Sequence, residues 1–90
     1  MRIDKFLKLS RLVKRRTVAA EMADVGAVRL NGRTVKPSAE VKAGDAIEVA
    51  FPRRVLAVEV LSADERAIKR GETAVHVTGE RRVEETERPW

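Results

Sequence analysis

Asn31-Gly32 stands between two β-prone runs in "AVRLNGRTVK", and no other feature constrains the fold as tightly. Asn-Gly between such runs is the strongest short-range hairpin signal, because both residues tolerate the positive φ that a two-residue loop requires. The loop fixes the register. Leu30 opposes Arg33, Arg29 opposes Thr34, and Val28 opposes Val35. Side chains alternate along a strand, so Val28, Leu30 and Val35 share an oily side while Arg29, Thr34 and Lys36 share a basic one.

Two short helices are expected before the hairpin. Ile3, Phe6, Leu7 and Leu9 recur at three- and four-residue spacing, with Asp4 in the first turn, where a carboxylate suits the helix dipole. Ser10 interrupts this helix, and Leu12 and Val13 supply the next apolar contact. Thr17 reads as the N-cap of a second helix, "VAAEMAD", which turns Val18, Met22 and Ala19 inward and stops at Gly26. After the hairpin, Pro37-Ser38 forms a loop and Ala43-Gly44-Asp45 a turn. Ile47, Val49 and Phe51 alternate into a strand, and Leu56, Val58 and Val60 into another. Ser62 and Glu65 fit a capping box for a short helix ending at Gly71, and "AVHVT" reads as a last strand. From Gly79 the chain is charged and poor in apolar residues, which predicts a flexible tail. The expected class is therefore α+β: two short N-terminal helices packed on a small, twisted, mostly antiparallel sheet. Ninety residues support one such domain with a small core.

The charge is unevenly placed. Residues 1–16 hold seven cations and only Asp4 as counter-charge, so this segment alone exceeds the net charge of +5 carried by the whole chain. A solvated helix face usually interleaves acids with its bases; here the cations are almost unopposed. Four of the seven are arginines, which suit planar, bidentate phosphate contact. Arg15 and Arg16 precede Thr17 at an expected helix start, where free backbone N–H groups favour a phosphate. Asp4 admits two readings: a helix-start residue with no further role, or a partner that fixes a nearby arginine for RNA contact.

Several function classes fit poorly. The chain has no cysteine and a single histidine, His76, which alternates with valines and reads as structural or solvent-facing. No spacing resembles a metal site, a phosphate-cradling glycine loop or a catalytic constellation, so a non-enzyme without cofactor or metal is expected. Aromatic residues are scarce, which disfavours a stacking surface for single strands. No apolar run approaches membrane-span length, and "FLKLSRLV" is too broken by charge for a signal-peptide core, so a cytoplasmic location and no membrane partner are expected. No long recognition helix is available for a DNA major groove, whereas two short helices on a hairpin suit a shape reader of folded RNA.

The residues also resemble a known family, the RNA-binding domain named after ribosomal protein S-four. The resemblance runs through Arg2-Ile3-Asp4 with Leu7, Arg16-Thr17, Gly26 to Gly32, Lys36-Pro37, and Val41 to Val49. It implies a domain over residues 1–61 and is less specific beyond; the residue pattern adds a helix-and-strand extension over 62–78 and the tail over 79–90. It further implies that the two helices and the hairpin form a basic RNA-binding face. Arg2, Arg11, Arg15 and Arg16 lead the expected contacts. Lys5, Lys14, Lys36, Arg29 and Thr17 follow, with Asp4 and Asn31 as organisers.

Among stand-alone members, the resemblance points to those of bacterial ribosome-associated quality control. It then implies binding to large ribosomal subunits obstructed by peptidyl-tRNA, with contacts to large-subunit rRNA and P-site tRNA. The implied protein partner is of the RqcH type, which brings alanyl-tRNA so that stalled chains receive C-terminal alanine tails. The free protein is expected to be monomeric and the working protein ribosome-associated. Two alternatives stay open: a heat-shock-type binder that rescues blocked subunits without tailing, and a membrane-surface amphipathic protein, which the short helices disfavour.

Overall fold

A computed structural model describes residues 1–84 and 88–90. The described elements run α1 (Ile3–Leu9), α2 (Arg16–Asp24), β1 (Val28–Leu30), β2 (Arg33–Thr34), β3 (Ala46–Phe51), β4 (Arg54–Val60), α3 (Glu65–Lys69) and β5 (Val75–Arg82). The five strands form one antiparallel sheet in the order β2-β1-β3-β4-β5. The expected class is the one observed, and the short helix expected before Gly71 is present as α3.

The hairpin turns where Asn-Gly requires. Asn31 and Gly32 take φ of 51° and 83°, and Arg29 pairs with Thr34 and Leu30 with Arg33. The register then propagates across the sheet, placing Val28 beside Val49 and Val49 beside Leu56. These three valine and leucine side chains are buried, as are Ile47, Val58 and Val60. Ile3, Phe6 and Leu7 of α1 complete the core with no exposed surface. Burying one such side chain is worth about 1.5–3 kcal/mol, so the α1 stripe is a large part of what holds a small domain together.

α2 is rotated relative to the expected helix. It begins at Arg16, with Arg15 as N-cap and no side-chain cap, so Thr17 is an exposed residue of the first turn rather than the cap. Starting two residues earlier does not alter the helical spacing; what changes is which stripe the sheet and α1 accept. Ala19 and Ala23 are buried, while Val18 is 41% exposed and Met22 half-buried. Small residues on the inner stripe let the helix backbone approach closely, which larger ones would prevent. Gly26, at φ 80°, closes the helix and donates its N–H to the Ala23 carbonyl.

The start of α1 is anchored by the segment after the hairpin. The Ile3 and Asp4 N–H groups donate to the carbonyls of Ala39 (2.7 Å) and Pro37 (3.2 Å), and Arg2 forms an isolated bridge with Glu40. The C-terminal part differs from expectation in two places. Asp64, not Ser62, caps α3: its carboxylate accepts from the Arg66 and Ala67 N–H groups, while the buried Ser62 hydroxyl accepts from the Asp64 N–H. The last strand does not end at Thr78. It pairs with β4 as far as Arg82, and Val83 is buried, because alternation with Arg54, Val55 and Leu56 supplies the ladder that the polar sequence alone does not advertise. Residues 85–87 of the expected tail lie outside the described residues. Trp90 is placed: its indole N–H donates to the Gly26 carbonyl at 3.0 Å.

Candidate nucleic-acid interface

The centre of the basic segment is a carboxylate. Asp4 is buried to 4% exposure at the start of α1. Its Oδ1 accepts from the Lys5 N–H (2.7 Å) and from Arg2 Nε (3.3 Å), and its Oδ2 from Arg2 Nη2 (3.1 Å). Arg16 Nη2, at the start of α2, stands 3.5 Å from the same Oδ1. One buried acid therefore holds two arginines from two helices, Arg2 by a fork and Arg16 by an ion pair. Both guanidinium side chains remain about half exposed, at 51% and 47%. Exposed ion pairs stabilise a fold little, but a buried carboxylate stripped of its partners is costly. The arrangement is better suited to aiming cations than to adding stability.

Arg15 and Arg16 flank a helix start whose first-turn N–H groups receive no side-chain cap. Such a start favours an anion, and here guanidinium groups stand beside it. Lys8, Arg11, Lys14 and Arg15 are exposed, and among the described residues they make no ion pair. Arg11 holds φ at 66°, the left-handed region that glycine occupies readily and arginine rarely. Its N–H donates to the Lys8 carbonyl at 3.1 Å, closing the turn after α1.

Of the remaining candidates, Lys5, Arg29 and Asn31 are engaged within the fold. Lys5 pairs with Glu65 of α3, and Lys69 joins the same carboxylate at 3.0 Å. The two ammonium groups, Lys5 foremost, pull the Glu65 carboxyl down to about 2. Arg29 donates through Nη2 (2.7 Å) and Nε (3.2 Å) to the Gly32 carbonyl, lies 3.8 Å from Glu48, and stacks over the Trp90 ring at 5.1 Å. Asn31 uses both ends of its amide, donating to Asp45 Oδ1 (3.1 Å) and accepting from the Ala46 N–H (2.9 Å). It straps the hairpin turn to the start of β3, an organising role. Lys36 is exposed and lines a hollow with Ala23 and Asp24, at the far end of α2 from Arg16. A nine-residue helix is about 13 Å long, so Lys36 forms a separate outpost of the basic surface.

Contacts spanning sixty residues are invisible to local pattern. Nothing near Lys5 points to Glu65, and nothing near Arg29 points to Trp90. His76 is exposed on β5. Among the described residues no group of acids or histidines is placed to hold a metal ion, and no helix is long and apolar enough to cross a membrane.

Residues 1–47 match the S4 domain. The chain is similar to the RQC P-site tRNA stabilizing factor of Streptococcus pneumoniae, at 42% identity over 94% of this chain and 98% of that relative. It is similar to the Bacillus subtilis protein of the same name, at 52% identity over 67% of this chain and 70% of that one. Its fold is similar to the trimeric structure of Vibrio cholerae heat shock protein 15, with a TM-score of 0.76 at 26% identity, covering 87% of this chain and 81% of that one.

Proposed function

Because the chain belongs to the S4 domain family, in the group whose curated members are named RQC P-site tRNA stabilizing factors, we propose that it holds P-site tRNA on large ribosomal subunits obstructed by peptidyl-tRNA. In this reading it also touches the large-subunit rRNA beside that tRNA, and supports RqcH-dependent addition of C-terminal alanine tails. The observation that carries the proposal is the buried Asp4 carboxylate, which fixes Arg2 and Arg16 together at the uncapped start of α2.

The mechanism follows from what these groups can do. Arg2 and Arg16 donate to backbone phosphate oxygens, and Arg11, Lys14 and Arg15 extend the contact along the strand. Phosphate contacts fix orientation and carry no base sequence, which suits a factor that must accept whichever tRNA a stalled chain ends on. The rigid α1–α2 pair positions the tRNA through each round of alanine addition. Bond formation stays with the ribosome, and the protein contributes steadiness rather than a reactive group.

Purification of a tagged copy from cells with stalled ribosomes tests this. The proposal expects large-subunit rRNA, tRNA and an RqcH-type protein to come with it, and alanine tails to disappear when its gene is deleted. Unchanged tails in the deletion strain, with blocked subunits accumulating, would favour the heat-shock-type reading, which the similarity to heat shock protein 15 keeps as the second candidate. Recovery of neither rRNA nor tRNA would overturn both.

A further inference from the structure

The ion pair between Lys5 and Glu65 draws α3 against α1 and leaves a cleft between them of about 310 Å³. Lys8, Leu9 and Arg11 line one wall, Ile68 and Lys69 the other. Three of these five residues are cations, and Leu9 and Ile68 are the apolar pair. Lys8 and Arg11 are exposed without an ion pair among the described residues, and Lys69 shares the Glu65 carboxylate with Lys5. Two of these cations share one acid, Lys5 and Lys69 on Glu65, and Lys8 and Arg11 bring their charge to the cleft without one. Glu72 lies in the adjoining hollow beyond Arg11 and is not paired with it.

Arg11 adds a separate observation. Its left-handed backbone, at φ 66°, is a position where glycine would relieve strain. An arginine held there brings a guanidinium to the junction of the cleft and the adjoining hollow. The cleft is only half within residues 1–47, because its second wall comes from α3.

We infer that the cleft between α1 and α3 is a second phosphate-binding region, in which Lys8, Arg11 and Lys69 each meet a backbone phosphate of the same RNA. It continues the contact made by Arg2 and Arg16 from the start of α1, around its end and onto α3. This inference rests on the RNA-binding reading proposed above. It deepens that reading by giving α3 a binding role in addition to packing.

The test uses bacterial large ribosomal subunits carrying P-site tRNA, with affinity measured along a monovalent-salt series at constant magnesium. Each lost phosphate contact shallows the slope of log affinity against log salt by about 0.7–0.9. Lys8→Gln with Lys69→Gln should reduce the slope by about 1.4–1.8, and Lys8→Arg with Lys69→Arg should restore it. Lys42→Gln with Arg82→Gln, exposed cations away from the cleft, should leave it unchanged. Lys8→Gln alone breaks no ion pair, so its smaller change of about 0.7–0.9 keeps the test decisive if the double variant unfolds. An unchanged slope in the glutamine variants, while Arg2→Ala with Arg16→Ala loses binding, overturns the cleft and leaves the RNA-binding reading standing. A slope that the arginine pair fails to restore assigns the loss to folding and overturns the cleft as well. Absence of salt-dependent binding by the unaltered protein overturns both.

Discussion

Asp4 and Arg16 meet across the starts of two helices, Oδ1 standing 3.5 Å from Nη2, with the acid buried and the base half exposed. The acid sits among cations, so its effect on RNA binding has opposite signs in two accounts. Counted as charge, it weakens binding; counted as a positioning group, it strengthens it.

Asp4→Asn separates these. The substitution raises the net charge by one, and a pure charge account expects tighter binding. The positioning account expects weaker binding to large subunits, because Arg2 and Arg16 lose the group that holds them. It also expects a stability loss of about 1–2 kcal/mol, since the asparagine amide replaces charge-assisted bonds with neutral ones. Parallel affinity and denaturant-unfolding measurements decide.

Arg11→Gly should divide stability from function. Glycine relieves the left-handed strain but frees the unfolded chain, so stability should stay level or rise by up to about 1 kcal/mol. Affinity for RNA should fall all the same. A variant that is at least as stable and binds less well identifies the arginine side chain as a ligand group.

Asn31→Gly should do the reverse. Glycine keeps the positive φ but removes the bonds to Asp45 and Ala46, at a cost of about 1–2 kcal/mol. The folded fraction should still bind RNA with the parent affinity, which titration at a temperature well below the unfolding midpoint would check.

Glu65 gives the fold a pH signature. Its carboxyl is lowered from 4.5 to about 2 in the folded protein by Lys5 and then Lys69. A lowered folded value means stability that is full above 4.5 and is lost as pH falls towards about 2. The unfolding midpoint of the parent should therefore exceed that of Glu65→Gln at neutral pH, and the two should converge as pH falls through that window. A constant difference at all pH values would contradict the ion-pair assignment.

The hairpin was legible in the sequence because Asn31-Gly32 sets its register locally, and the strands followed because Ile47, Val49, Leu56, Val58 and Val60 alternate. The caps were harder to read. Thr17 and Ser62 are both good cap residues, yet the chain enters α2 at Arg15 and α3 at Asp64, where tertiary packing fixes the entry angle. Val18 looked inward by hydrophobicity alone, but it is exposed, and the close approach of α2 buries Ala19, as expected, together with Ala23. Of the site, the cluster of cations was plain and their division was not. Lys5 and Arg29 are engaged by Glu65, Glu48 and Trp90, partners that only the fold brings near.

The central claim is that Arg2 and Arg16, held by Asp4, carry RNA binding. Its most direct test is the affinity of Arg2→Ala with Arg16→Ala for large subunits carrying P-site tRNA, measured beside the unfolding midpoint. Each charge-assisted bond contributes about 1.5–3 kcal/mol, so two lost contacts predict binding weaker by about a hundredfold or more in a protein that remains folded. Unchanged affinity in the folded double variant would contradict the account.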